Sequence, residues 1–585
     1  MKKYFRAHPV RLALIVVALL QLVYGAYFAW NDSATVDEVA HIGDGYAVVA
    51  HQDNRLNPEH PPLLKALAGM MVAAQFPNDI VGTSSWAEHN QWGAGRELLY
   101  WQDNNANWLL FAGRMPTVVA SVIFCVMLFG LAREFFSMRT SLIVYGLAVL
   151  FPDVLGHGHF ITTDIMAALG YTTVLWVYVR MLKKKSKKIW PLVLAMTFAQ
   201  LCKFSSVLLF AIVPLIGLMW RKWSDRTSFG SAFLTTVRES ASVIPLTFLL
   251  VWIVYIPVTW NMSQGLLDTL ISSNLSYIDS HFYWVFNVLH ALASNPFTKP
   301  LCDYVLGVAM VVLRVEGGNN TFIFGQMNMH GIWWFFPIAW LVKTPIGLIA
   351  LYATGIFAAI QLRVKKEILF VAGAVLCVYW GFTLKGSLNL GTRHLLPTIS
   401  SLLLIVGYAF EALWSRTRGW KIFLSAMTAW AVVSVVLNAA HPLAYMNEVS
   451  LFVPRNDILV DSSLDWGQDL KRLAAYVRKN NIDDIKVDYF GGGDTLREIP
   501  NATLWHVEYG PTTGYLAVSA TFLPFSHMYG VKEGKWSYDW LKEFTPIATI
   551  GHSILVYHIT EQDFIDHPPT SPYPLVQPAW IPPVQ

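Results

Sequence analysis

The chain has 585 residues, 55% hydrophobic and 14% charged, with a formal net charge of +4 and a positive mean hydropathy. That balance excludes an ordinary soluble domain and predicts a polytopic α-helical membrane protein. The four cysteines, Cys125, Cys202, Cys302 and Cys377, are scattered, and three fall in predicted spans, which argues against a disulfide framework.

In chain order, apolar stretches predict about eleven transmembrane helices, at 12–30, 107–132, 140–156, 164–182, 189–202, 204–220, 241–259, 332–360, 368–384, 395–414 and 420–440. Lys2, Lys3, Arg6 and Arg11 precede the first, which sets the N-terminus in the cytoplasm. The loops Arg133 to Arg139, Lys183 to Lys188, Arg221 to Arg226, Arg363 to Lys366 and Arg416 to Lys421 then fall on the same side. That count requires the run 189–220 to be two short helices divided at Lys203. One tilted span there would reverse every later loop.

The transmembrane domain is therefore read as 1–440, with large outer loops at 31–106 and 260–331 that are rich in Trp, Tyr, Phe and His. A second domain is expected over 441–585 on the outer face. Short alternating strands at 485–490, 514–520 and 554–559 follow an amphipathic helix at 469–480, which predicts a small α/β unit. The tail from His567 holds seven prolines in nineteen residues and reads as extended. Gly491 to Gly493 lack the lysine and hydroxyl of a phosphate loop, so nucleotide hydrolysis is not expected.

Asp37 and Glu38 follow the first span. Thr35 and Glu38 have the spacing of a capping box, yet the segment continues through Asp44 into RLNPEHPPLLKAL, a dense ionisable group. Glu59 and His60 are held just before a proline-started helix, where a carboxylate beside an imidazole can bind a divalent metal or orient a phosphate. Asp164 opens the fourth span as either a terminal acid or a functional one. Lys203 and Lys343 lie in or near spans, where a lysine needs water, an interface or an anion. Arg393, with His394 beside it, starts the tenth span and can grip a phosphate through two N–H groups.

These residues, in this order, resemble the C-superfamily membrane glycosyltransferases that use polyprenyl-phosphate sugars, nearest to the family 39 protein O-mannosyltransferases and aminoarabinose transferases. The shared features are Asp37-Glu38, His60-Pro61-Pro62-Leu63, Thr163-Asp164, Lys203, Lys343-Thr344-Pro345 and the arginine before the tenth helix. The resemblance implies the GT-C fold and transfer of a sugar with inversion from a lipid phosphate to an acceptor hydroxyl on the extracytoplasmic side. Asp37 would be the base, with Glu38 and Asp164 as further catalytic acids. His60, Lys203, Lys343, Arg393 and His394 would bind substrate, with Lys203, Arg393 and His60 the candidates to take the charge of the leaving phosphate. Relatives often carry arginine or tyrosine after the acidic pair and lysine before the proline pair, where this chain has Ala40-His41 and His60.

The expected partners are a polyprenyl-phosphate sugar, the bilayer and a protein, lipid or glycan acceptor, with no nucleic acid. A divalent ion is the one cofactor left open, on Glu59, His60 and either His281 or His330. The favoured location is a bacterial inner membrane with a periplasmic active site. The competing reading is a transporter or flippase for a lipid-linked or anionic substrate, since intramembrane lysine and aspartate also mark substrate paths.

Overall fold

The computed structural model describes residues 2–275, 283–362 and 366–571. Arg363 and Lys365, His281 and the tail from 572 onward lie outside the described residues.

Eight described helices are long and apolar enough to cross a membrane, and nine if the bent pair Phe335–Lys343 and Ile346–Gln361 counts as one span. The pair corresponds to the single span expected at 332–360. It is bent by 114° where Thr344 and Pro345 interrupt it, because proline removes an amide donor and excludes the preceding residue from helix. The two remaining expected spans are the apolar helices Met138–Val149 and Trp190–Cys202, of 12 and 13 residues. At 1.5 Å per residue each is about 20 Å long, short of a hydrocarbon core of about 30 Å. Pro152 explains the first, since it starts a separate helix, Pro152–His157.

Contacts at the helix ends decide the division at Lys203. Lys203 at the end of Trp190–Cys202 meets Asp164 at the start of Thr163–Lys183. The next helix stretch, Phe204–Ser224, returns to the opposite end, where Asp225 lies 3.4 Å from Lys185. The run is thus two antiparallel helices. Other basic loops gather at that same end: Arg139 stacks on Trp414 at 3.6 Å, Ser137 donates to Glu411, and Trp223 faces Phe370.

At the other end, the first large loop is mostly helical. Val36–Tyr46 and Pro62–Ala73 cross closely because Gly45 faces the Lys65 backbone and Gly69 faces that of Gly45; a Cβ on Gly69 would collide with the Gly45 carbonyl oxygen. Behind this crossing Lys65 and Asp44 are both wholly buried, 2.6 Å apart, and Asp44 Oδ1 accepts the Asn57 N–H. The pair anchors the loop that carries Glu59 and His60.

The C-terminal part holds a mixed five-stranded sheet. Ile485–Asp488 runs parallel to both Ala502–Leu504 and Gly514–Ser519, and Ile554–Ile559 pairs antiparallel with Gly514–Ser519 and Ala548–Ile550. Helix Leu470–Lys479 packs on it through Leu470, Leu473 and Val477. The expected strands and helix all form. Segment 441–466 is shared with the membrane part: strand Leu459–Val460 pairs with Thr321–Ile323, and Leu459 shares a core with Phe335, Phe336 and Val518.

Candidate active site

A cavity of about 360 Å³ lies between one end of the helices and the C-terminal part, and Asp37, Glu59, His60, Asp164, Lys203, Arg393 and His394 line it. Residues more than 350 positions apart in sequence meet here. The Arg393 guanidinium Nη1 donates to Asp37 Oδ2 at 2.9 Å and to Asp164 Oδ2 at 3.4 Å, while Lys203 Nζ donates to Asp164 Oδ1. Arg393 also lies 4.2 Å from the centre of the Trp466 ring, which fixes the plane of its fork. Asp164 is 1% exposed and Asp37 is 29% exposed, so of these two acids Asp37 is the one open to a ligand. Local structure presents it: Thr35 ends an extended segment, and Asp37 stands in the first turn of Val36–Tyr46.

Glu38, expected among the catalytic acids, lies apart from the cavity. Its side chain is wholly buried outside the cavity lining, held by Arg114 Nε at 2.8 Å and Nη2 at 2.7 Å, and it accepts the Thr35 and Ile161 N–H groups. Burial alone would raise this carboxyl, but Arg114 and the two amides outweigh it and hold it below the usual carboxylate range. Arg114 also binds the carbonyls of Ala29, Asp32 and Ser33, tying the end of the first helix to the loop that carries Asp37. Glu38 is therefore a positioning residue.

Lys343, expected to bind substrate, also lies apart from the cavity. It is buried behind the cavity wall, donating to the carbonyls of Leu443 at 2.8 Å and Ser463 at 2.7 Å, and it does not line the cavity. It satisfies carbonyls beside the bend at Pro345 rather than an anion in the site.

His60 lines the cavity, but burial first, then His41 and the cations Lys65, Lys203 and Arg314, push its imidazole well below its ordinary range. That favours the neutral imidazole, which can offer a phosphate a hydrogen bond. Its Nδ1 lies 3.1 Å from Asn57 Oδ1 and 3.9 Å from Glu59, and Glu59 is in turn 3.4 Å from Arg314. No group of three or more His, Cys, Asp or Glu suited to a metal occurs among the described residues. Glu59 and His60 do not assemble the expected metal site there; His330 is exposed, and His281 lies outside the described residues.

Sequence reasoning passed over Arg114, Arg314, Asp461 and Asp465. Arg114 had a signal: a lone arginine within a span demands a buried partner. Asp461 and Asp465, in VDSSLDWGQD, line the cavity although they belong to the segment assigned to the outer domain.

Residues 106–260 match the family described as dolichyl-phosphate-mannose-protein mannosyltransferase. The matched stretch contains Arg114, Asp164 and Lys203 but neither Asp37 nor Arg393. No curated protein matches the sequence. Among solved structures, the chain is similar to the Archaeoglobus fulgidus oligosaccharyltransferase in complex with zinc and sulfate, at 12% identity and a TM-score of 0.42, covering 90% of this chain and 69% of that one. The same enzyme tethered with an acceptor peptide gives 13% and 0.43, covering 82% of this chain and 58% of that one. ArnT from Cupriavidus metallidurans bound to undecaprenyl phosphate gives 12% and 0.42, covering 93% of this chain and 97% of that one.

Proposed function

We propose that the chain is an inverting glycosyltransferase of the C superfamily that moves a sugar from a polyprenyl-phosphate donor to an acceptor hydroxyl. The observation that carries this reading is the grouping of one accessible carboxylate, Asp37, with two cations, Arg393 and Lys203, in a single cavity at the outer helix ends. The family match over 106–260 supports it.

In this reading Asp37 takes the proton of the acceptor hydroxyl as its oxygen attacks the anomeric carbon. The bond from that carbon to the phosphate oxygen breaks, and polyprenyl phosphate leaves with the electron pair. An alcohol is a poor nucleophile until deprotonated, and a placed carboxylate contributes about 10² to 10⁴ in rate. Arg393 and Lys203 receive the charge that develops on the phosphate, which therefore needs no strong acid to leave. Asp164 keeps those two cations in register, and His60 and His394 can offer hydrogen bonds.

The arrangement of basic loops supports an extracytoplasmic site. The basic loops around Arg139, Lys185 and Arg416 gather at one end of the helices and the cavity opens at the other, so the positive-inside tendency puts the site outside the cytoplasm, in the periplasm if the membrane is a bacterial inner membrane.

The test is purified protein in proteoliposomes with a panel of polyprenyl-phosphate sugars. The expected result is consumption of at least one donor and a loss of about 10²-fold or more in Asp37→Asn. Undiminished transfer by Asp37→Asn overturns the assignment.

A further inference from the structure

Resting on the donor class proposed above, we infer that Asp461 and Asp465 bind hydroxyl groups of the sugar carried by the lipid phosphate. Five carboxylates line the cavity: Asp37, Glu59, Asp164, Asp461 and Asp465. The first three meet Arg393, Arg314 and Lys203. The last two have no ion-pair partner among the described residues.

Each of the two is half satisfied. Asp465 is 1% exposed, and its Oδ2 accepts the Thr521 N–H at 2.9 Å and the Thr521 hydroxyl at 2.8 Å, leaving Oδ1 buried without a hydrogen-bond partner. Asp461 Oδ1 accepts the Ser463 N–H at 2.6 Å, leaving Oδ2 buried and unpartnered. A buried oxygen of this kind is costly unless a ligand supplies a donor.

The donor that fits is a neutral hydroxyl. Burial pushes the Asp465 carboxyl up to about 7, opposed by Thr521 and the Gly467 amide, and raises that of Asp461 as well. A hydroxyl can pair with either form of such a group, as donor to the carboxylate or acceptor from the acid, whereas an ammonium is held only by the ionised form. Phe490 and Phe525 also line the cavity and offer apolar surface to the C–H faces of a sugar ring.

Position ties the pair to the donor. The turn that presents Arg393 begins at Gly391, whose φ of +105° suits glycine, and a Cβ there would meet Ser463 Oγ at 2.6 Å, Ser462 Oγ at 2.8 Å and Asp461 Oδ1 at 3.4 Å. Ser462 Oγ also donates to the Leu390 carbonyl. Asp461 is thus pressed against the turn whose guanidinium would grip the phosphate. The anomeric carbon is one oxygen away from that phosphate, which brings the ring hydroxyls next to this wall.

The experiment measures the affinity of full-length protein in nanodiscs for undecaprenyl phosphate and for its mannosyl, glucosyl and galactosyl esters. In Asp465→Asn the amide oxygen can still accept from Thr521, while an N–H replaces the unpartnered Oδ1 acceptor. At least one sugar ester should bind the unaltered protein more tightly than the bare lipid. Asp465→Asn and Asp461→Asn should each weaken that ester about fivefold or more, as expected for losing a hydrogen bond of about 1 kcal/mol, with the bare lipid held within about twofold. Thermal unfolding verifies folding, and Asp461→Asn alone carries the test if Asp465→Asn does not fold. An equal affinity of the unaltered protein for bare and glycosylated lipid, a preference retained in the variants, or a parallel loss of both lipids overturns the sugar subsite. Failure of the unaltered protein to bind bare undecaprenyl phosphate counts instead against the donor class itself.

Discussion

Arg393 Nη1 lies 2.9 Å from Asp37 Oδ2, so the candidate base and the candidate phosphate clamp are ion-paired to each other. A phosphate entering the cavity competes with Asp37 for that guanidinium. Its arrival would release the carboxylate to accept a proton at the moment the donor is in place. Asp164 retains Lys203 throughout, because it is 1% exposed and cannot turn to solvent.

Arg393→Lys keeps the charge but loses the planar guanidinium, whose Nη1 reaches both Asp37 and Asp164. Transfer should fall about 10²-fold or more, the scale of losing one preorganised charge-stabilising contact. Steady-state kinetics on the donor found in the panel would check this. Wild-type turnover in this variant would show that Arg393 does not hold the phosphate.

Glu38→Gln leaves Arg114 buried without its counter-charge. Breaking one side of a buried pair costs about 3 to 5 kcal/mol, so thermal unfolding in detergent should drop sharply. The protein that remains folded should keep donor binding within a few fold, since Glu38 does not line the cavity. Loss of turnover at full stability would instead make Glu38 a catalytic group.

Gly69→Ala places a methyl group against the Gly45 carbonyl oxygen, which is backbone and cannot swing aside. Overpacking of this kind costs about 1 to 3 kcal/mol. Helix Pro62–Ala73 should shift away from Val36–Tyr46, loosening the loop that holds His60. Faster amide hydrogen exchange over 54–61 is the expected readout. Unchanged exchange and stability would mean that the crossing is not tight.

Asp303, on helix Lys299–Gly317, accepts the Asn54 amide at 2.7 Å. Burial raises its carboxyl from 3.8 to about 7, opposed by Asn54 and Lys65 and assisted by Asp44 and Asp53. The folded protein therefore holds a proton that the unfolded chain has lost, so this group's contribution to stability falls as pH rises from about 4 to about 7 and then levels off. Asp303→Asn should flatten the dependence of the unfolding temperature on pH within that window. An unaltered slope would show that Asp303 is ionised in the folded state.

The residues later found around the cavity were visible in the sequence as types, because acids, prolines and cations stand out against apolar spans. Their partners were not. Glu38 and Asp37 are adjacent in sequence and equally acidic, yet one helical step turns Glu38 inward to Arg114 and leaves Asp37 facing the cavity. Lys203 and Lys343 looked alike as costly lysines, but one meets a carboxylate in the site and the other two carbonyls behind it.

Composition and period alone determined that this is a multi-span helical protein with a small α/β unit at its end, because burying apolar length in lipid and alternating residues on a sheet are local requirements. Even the antiparallel division at Lys203 followed from charge placement. Which acid is accessible, which lysine faces an anion and which loop closes the cavity were decided only by tertiary structure. Those properties depend on contacts between residues such as Asp37 and Arg393 that are hundreds of positions apart, and on how completely the packing around each one excludes water.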